Sequence, residues 1–169
     1  MRSLLALVLL LTLALPAGAA ETHPFSIHDM LAMERISDPR VSPDGTQVAF
    51  VVRATDLEAN RGRLDLFLAA TDGSRVRRLT SHEAADSQPR WSADGRSLFF
   101  VSTRSGQAQV WRLSLEGGEA QPVTRLPLDV DALEVAPGGR HLVLSMAVFP
   151  GKSPEETKAA LEAKEKSKA

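Results

Sequence analysis

The chain of 169 residues contains no cysteine and no tyrosine, and only 5% of its residues are aromatic. The absence of thiols excludes disulfides, cysteine catalysis and cysteine-based metal sites. An excess of one charge is also absent, because 20 lysine and arginine residues are balanced by 21 aspartate and glutamate residues. Dedicated nucleic-acid-binding proteins carry a strongly basic surface, so we expect no nucleic-acid partner.

Two catalytic signatures are missing as well. The sequence has no Gly-x-Ser-x-Gly pattern, which marks the nucleophile of many serine hydrolases, and no glycine-rich phosphate-binding loop. The four histidines are scattered, match no metal-ligand spacing and are predicted to be loop or surface residues: His23, His28, His82 and His141. We therefore assign no catalytic, cofactor-binding or metal-binding residue, and we expect no cofactor.

Long apolar runs are absent after residue 20, so no later segment is expected to span a bilayer. Residues 1–20 have the pattern of a signal peptide: Arg2 supplies a basic start, an apolar run follows, and small residues predict cleavage near Ala19 or Ala20. An N-terminal membrane anchor is disfavoured because the run is shorter than the ~18–20 residues that a span needs. We expect an exported, periplasmic protein that has no membrane contact once the signal is removed.

The chain does contain a phrase that occurs three times. Residues 38–45 read DPRVSPDG, residues 87–95 read SQPRWSADG, and a weaker copy at 133–139 reads LEVAPGG. The first two copies lie 50 residues apart, and the second and third lie 44 apart. A period of about 40–50 residues, with short strands in each unit, is typical of β-propeller blades. The predicted fold class is therefore all-β, a partial β-propeller of two four-stranded blades and part of a third.

Apolar β-type runs follow each copy of the phrase. The predicted strands are 47–53, 64–70 and 76–79 in the first unit, 97–102, 109–115 and 122–124 in the second, and 141–148 in the third. A polar insert at 54–62 is predicted to be a loop. The predicted organisation is a signal peptide at 1–20, a lead-in segment at 21–36, an incomplete propeller at 37–150 and a charged helix or insert at 151–169.

Two short helices are predicted outside the strands. Ser26 is the candidate N-cap of a helical turn or two in the lead-in segment, where a His28–Asp29 dyad is disfavoured because adjacent residues do not face each other on a helix. Residues 153–156 (SPEE) form a capping-box pattern with proline at the first helical position. The pattern predicts that this second helix is still running at the last residue, without a C-cap.

Three groups of polar or aromatic residues have both a functional and a structural interpretation. Asp44 and Asp94 could bind a cation, but aspartates in Asp-Gly turns are expected to bond the local backbone. Trp91 and Trp111 could stack on a ligand, but packing between blades is favoured. The cluster Arg75, Arg77 and Arg78 is expected to be a solvated face, with a rim that steers acidic groups as the alternative.

The repeated phrases resemble a known family. Val41–Gly45 and Trp91–Gly95, each followed by an apolar strand, are similar to the "W-S-P-D-G…I-A-F-x-S" blades of the prolyl oligopeptidase family. The similarity is greatest to exported bacterial acylaminoacyl-peptidase and dipeptidyl-peptidase 5-like members, because the lead-in phrase Phe25–Leu31 also matches them. It covers residues 21–169.

This resemblance implies a two-domain enzyme in which an N-terminal propeller covers a C-terminal α/β-hydrolase domain with a Ser-Asp-His triad that cleaves short peptides. No position here matches that triad, so no catalytic residue is carried over. We expect the chain to be an N-terminal fragment that is inactive alone. In the full-length protein, the expected partners are a peptide substrate and the missing hydrolase domain.

Two alternatives stay open. The blade motif is shared with TolB-like propellers, which would make the protein a non-catalytic periplasmic module that binds protein partners. The chain could instead be a self-sufficient small β protein. The substrate specificity, the mode of cleavage and the oligomeric state are not determined by the sequence.

Overall fold

In a computed structural model of the chain, residues 23–167 are described. The predicted signal peptide lies outside the described residues. The described part has two four-stranded antiparallel sheets, one two-stranded antiparallel sheet and two helices. None of the helices in this part of the chain combines the length and apolar character that a membrane span requires.

The sheets follow the sequence repeat. Blade 1 comprises β1 (Arg35–Val41), β2 (Gln47–Asp56), β3 (Arg61–Ala70) and β4 (Val76–Arg78). Blade 2 comprises β5 (Asp86–Trp91), β6 (Ser97–Ser102), β7 (Gln109–Ser114) and β8 (Gln121–Pro122). Partial blade 3 comprises β9 (Ala132–Val135) and β10 (Leu142–Ser145). In blades 1 and 2 the strands are paired in chain order, which confirms the predicted all-β class with two four-stranded blades and part of a third.

Both predicted helix starts are confirmed. Helix α1 (Ile27–Ala32) begins after Ser26, which forms a capping box with Asp29. Helix α2 (Pro154–Lys166) begins after Ser153 with the same arrangement. The prediction that this helix runs to the last residue was wrong, because α2 ends at Lys166 and Ser167 caps it through a hydrogen bond from its Oγ to the Lys164 carbonyl, 2.8 Å long.

The first strand of each blade was not predicted from the sequence. The repeated phrases contain Pro39 and Pro89, and proline cannot donate to a strand ladder. The structure accommodates each proline with a β-bulge, because the preceding residues, Asp38 and Gln88, adopt left-handed backbone with φ of 47° and 54°. The ladder resumes at the arginine after the proline, so a strand forms despite the proline.

Two predicted boundaries need correction. The insert at 54–62 is not a loop, because it extends the β2–β3 hairpin to the pair Asp56↔Arg61, and Arg63 Nε donates to Asp56 Oδ2 at 2.8 Å. The strand predicted at 141–148 is shorter than expected and ends at Ser145. Only four residues of β10 pair with β9, and Met146–Phe149 pair with no strand among the described residues.

The core lies between the blades. Leu66 and Val51 of blade 1 pack on Phe100 and Leu113 of blade 2. A second cluster joins blade 2 to partial blade 3. Alternate residues of a strand point to opposite faces, so the middle strands of blade 2 supply both interfaces. Burial of these side chains between sheets is the main stabilising contribution, about 1.5–3 kcal/mol for each large apolar residue.

Candidate functional site

The first strands of the blades form the inner edge of the assembly. Strand β5 contacts both β1 and β9, whereas the last strand of blade 1, β4, is exposed along its whole length. In a propeller the inner strands line the central channel. Polar side chains on these strands are therefore the candidates for contact with anything that passes through the channel.

Four charged residues of the inner strands form one network, which we call the charged network: Asp38, Arg40, Arg90 and Glu134. Arg90 joins all three inner strands, because its Nη1 lies 2.8 Å from Asp38 Oδ2 and its Nη2 lies 2.8 Å from Glu134 Oε1. Arg40 lies 2.7 Å from Asp38 Oδ1 and 3.9 Å from Glu134 Oε1. Two cations thus meet two anions, and the network has no net charge.

Arg90 is the most buried member, at 9% exposure. Burial alone would lower the pKa of its guanidinium, but the hydrogen bonds with Glu134 and Asp38 raise that pKa above its ordinary value. Its Nε is buried and has no hydrogen-bond partner among the described residues. The network therefore connects three inner strands through one largely buried guanidinium.

Further hydrogen bonds connect successive inner strands. The Trp91 indole Nε1 donates to the Arg40 carbonyl at 2.8 Å. The amide of Gln88, the bulge residue of β5, donates to the Asp131 carbonyl at 2.8 Å and accepts from the Leu133 backbone N–H at 3.0 Å. The left-handed backbone of the bulge therefore places a side chain where it bonds the next blade.

A second buried ion pair lies within blade 2. Arg104 Nη2 donates to Asp86 Oδ2 at 2.6 Å, and Asp86 is fully buried. The Arg104 guanidinium also stacks over the rings of Phe100 and Trp111, with centroids 5.4 and 5.0 Å away. The Asp86–Arg104 pair therefore belongs to the packing against blade 1.

The structural interpretation of the repeated aspartates is confirmed. Asp44 Oδ1 accepts from the Ser42 hydroxyl at 2.6 Å, and Asp94 Oδ1 accepts from the Ser92 hydroxyl at 2.5 Å. Each also accepts the backbone N–H two residues on, and these bonds, the serine bond first, lower the pKa of both carboxyl groups. Both aspartates act as turn residues.

The tryptophans also behave as predicted. Trp111 packs on the cluster that contains Phe100, and Trp91 packs on the neighbouring cluster of Ala49, Leu68 and Leu98. The four histidines are exposed, as predicted: His23, His28, His82 and His141. Asp29 is engaged by Ser26 and does not form a dyad with His28.

The arginine cluster is divided by the structure. Arg78 donates to Asp65 Oδ2 at 2.6 Å and to the Thr80 carbonyl at 2.7 Å. Arg75 and Arg77 are exposed and have no carboxylate within salt-bridge distance in the described part of the chain. All three arginines are exposed, as expected for a solvated face, but Arg78 is also paired with Asp65.

The polar side chains of the inner strands can bind a ligand or position neighbouring strands. Within residues 23–167, no group of three or more histidine, aspartate or glutamate side chains is arranged to hold a metal ion.

The charged network was not predicted from the sequence. A signal was present, since Arg40, Arg90 and Glu134 occupy equivalent positions at the same spacings of 50 and 44 residues as the phrase itself.

Successive antiparallel sheets that pack face to face around shared inner strands define part of a β-propeller. The sequence profile of the family described as "TolB beta propeller domain" matches residues 31–149. The chain belongs to this family.

The curated relatives include several peptidases. The chain is 32% identical over 126 residues to the uncharacterized peptidase YuxL of Bacillus subtilis, an alignment of 74% of this chain and 19% of that protein. It is 27% identical over 169 residues to dipeptidyl-peptidase 5 of Porphyromonas endodontalis, covering 93% of this chain and 24% of the relative. The chain thus spans about a fifth to a quarter of the length of these relatives. The resemblance to the prolyl oligopeptidase (S9) family is confirmed.

The chain is also similar to one solved isopeptidase structure and, over a shorter stretch, to a TolB protein. The apo structure of the AtxE2 isopeptidase, a protein of Asticcacaulis excentricus, superposes with a TM-score of 0.61 at 25% identity over 85% of this chain and 26% of that one. The Tol-Pal system protein TolB of Bordetella pertussis is 42% identical over only 53 residues, which are 31% of this chain and 12% of TolB. The peptidase matches therefore cover far more of the chain than the TolB match.

Proposed function

We propose that this chain is the N-terminal propeller portion of an exported serine peptidase of the prolyl oligopeptidase family, of the acylaminoacyl- or dipeptidyl-peptidase type. The observation that most supports this proposal is the match to dipeptidyl-peptidase 5. It covers 93% of the chain and therefore includes the lead-in segment as well as the blades. A propeller motif alone would match only the repeated units.

In this proposal the chain does not perform the chemistry. The charged network holds the inner strands at fixed positions, and a rigid channel wall restricts which peptides pass. Hydrolysis would take place in a hydrolase domain encoded beyond residue 169, which would be the intramolecular partner of the propeller. Export to the periplasm and removal of residues 1–20 are part of the same proposal.

The test compares the 169-residue chain with the product of the complete reading frame. Both are assayed with a chromogenic dipeptide anilide and with an N-acetyl-aminoacyl anilide. We expect hydrolysis by the longer protein, loss of that activity with a serine-reactive fluorophosphonate, and no hydrolysis by the chain alone. Activity of the chain alone, or a reading frame without a Gly-x-Ser-x-Gly pattern, would show the proposal to be wrong.

A TolB-like binding propeller is the second candidate, and the observation that favours it is the 42% identity to TolB of Bordetella pertussis. It predicts further blades and no hydrolase domain in the complete protein. Because the TolB match covers only 31% of the chain, this candidate is the weaker one.

A further inference from the structure

Blade 1 carries a basic groove that the peptidase proposal does not use. The groove has a volume of about 560 Å³, lies where β3 ends and β4 begins, and is lined in part by Arg75 and Arg77. Gln47, Leu68 and Ser74 are among its other lining residues. All of its lining residues belong to blade 1, and none belongs to the charged network.

The strand geometry places both arginines on one face. The Arg75 carbonyl accepts from the Ala70 N–H at 2.9 Å, which extends the β3–β4 ladder by one residue beyond Val76. Residues two apart on a strand share a face, so Arg75 and Arg77 lie side by side. Arg78 points to the opposite face, where Asp65 engages it.

The charges in the groove are not balanced. Asp72 is the one carboxylate that lines it, and Asp72 Oδ1 already accepts the Ser74 N–H at 2.9 Å. Two guanidiniums against one carboxylate leave one net positive charge. A ligand that carries carboxylates would complement this charge.

Blade 2 shows that the repeat does not require this groove. Forty-four residues along, Arg75 and Arg77 are replaced by Glu119 and Gln121. At the position of Leu68, blade 2 has Arg112, whose Nη2 donates to the Ser97 hydroxyl at 2.9 Å. The basic and unfilled character of the groove is therefore specific to blade 1.

We propose that the basic groove of blade 1 binds an acidic peptide segment, with Arg75 and Arg77 contacting its carboxylates. Inorganic phosphate shares the negative charge but presents it at one centre, whereas an acidic peptide presents a separate carboxylate to each arginine. The site is separate from the inner strands, so binding there does not depend on peptidase activity.

The test measures binding of a fluorescein-labelled tetraglutamate peptide to the purified chain by fluorescence anisotropy at low salt. We expect the double variant Arg75→Gln/Arg77→Gln to bind about five- to tenfold more weakly, since each exposed charge pair contributes up to about 1 kcal/mol.

The matched control is Arg125→Gln/Arg140→Gln, which removes two exposed arginines elsewhere and changes the net charge equally. We expect this control to retain wild-type affinity, and a tetraglutamine peptide to bind no variant. Equal weakening by the control, undiminished binding by the groove variant, or equal binding of tetraglutamine would overturn the proposal. Displacement of the peptide by equimolar inorganic phosphate would also overturn it, because the site would then recognise any anion.

Discussion

Thr80 in blade 1 and Thr124 in blade 2 occupy the same position and make the same contact. Thr80 Oγ1 accepts the Leu66 N–H at 3.0 Å, and Thr124 Oγ1 accepts the Val110 N–H at 2.9 Å. Other equivalent positions differ in polarity. Blade 1 has Ile36 and Ala54 where blade 2 has the buried pair Asp86 and Arg104.

This difference separates two kinds of polar residue. Side chains that bond the backbone at a fixed point of the ladder recur in both blades, because every blade has the same unpaired N–H groups there. The buried ion pair Asp86–Arg104 does not recur, and a buried ion pair can be replaced by apolar side chains without loss of stability. The repeat thus conserves the hydrogen bonds of the backbone and leaves the interfaces free to vary.

The largest expected effect is at the interface between the blades. Phe100 is fully buried in the cluster that joins blades 1 and 2. We expect Phe100→Ala to lower the free energy of unfolding by about 3–5 kcal/mol, because it leaves a cavity that the sheets cannot close. Chemical denaturation followed by circular dichroism measures it.

The control is the equivalent residue of blade 1. Phe50 stacks on Phe67, with ring centroids 5.9 Å apart, but it belongs to none of the described core clusters. Phe50→Ala should therefore cost about 1–2 kcal/mol less than Phe100→Ala. Equal costs would mean that the two faces of blade 1 are equally well packed.

The second prediction converts the polar pair of blade 2 into the apolar pair of blade 1. Arg104→Ala alone should cost about 3 kcal/mol, because it leaves the fully buried Asp86 without its cation. The double variant Asp86→Ile/Arg104→Ala should be more stable than the single variant by at least about 1 kcal/mol. A double variant less stable than Arg104→Ala would contradict the exchangeability of the pair.

The third prediction compares two glycines at equivalent turns. A Cβ at Gly139 would lie 2.5 Å from Ala93 Cβ, whereas a Cβ at Gly95 would meet nothing closer than Pro43 Cδ at 3.6 Å. Both glycines have positive φ, so alanine is strained at both positions, by about 1 kcal/mol.

Gly139→Ala should therefore be the more destabilising substitution, by about 1–2 kcal/mol, since Ala93 must also move. Thermal unfolding of the two variants measures the difference directly. Equal losses of stability in the two variants would mean that the contact between Gly139 and Ala93 does not stabilise partial blade 3.

The smallest expected effect is on the pH dependence of the stability of the folded chain. Hydrogen bonds from Ser42 and Ser92 hold the pKa of Asp44 and Asp94 below the ordinary value of an aspartate in the folded state. Each carboxylate therefore adds stability above its unfolded pKa, and that stability is lost as the pH falls through the folded pKa. In the double variant Asp44→Asn/Asp94→Asn, the melting temperature should therefore fall less steeply below about pH 4 than in the wild type.

Asp65 provides a control, because its pKa is shifted in the opposite direction. Burial raises the pKa of its carboxyl group despite the neighbouring Arg78, whereas blade 2 has the neutral Gln109 at this position. A raised folded pKa means that protonation favours the folded state, so Asp65→Asn should steepen the acid loss of stability. Identical pH profiles for the two variants would contradict the assigned shifts.

Much of this fold was predictable from local sequence. The Asp-Gly turns, the middle strands of blades 1 and 2, the N-cap at Ser26 and the capping box at Ser153 depend on contacts within a few residues, and the structure has them as predicted. The inner strands were missed because Pro39 and Pro89 argue against a strand. The bulge that accommodates them is held by partners from other blades, which no local pattern reveals.

By itself, the sequence determined the repeating unit, its all-β class and the chemistry of its turns, because each of these depends on residue type at short spacing. The tertiary structure alone decided that Arg90 would join Asp38 to Glu134, that Arg78 would be paired while Arg75 and Arg77 line an open groove, and that the insert of blade 1 would extend a hairpin. These outcomes depend on which faces of three separate sheets meet, and a contact across 44 or 50 residues is set by packing rather than by local preference.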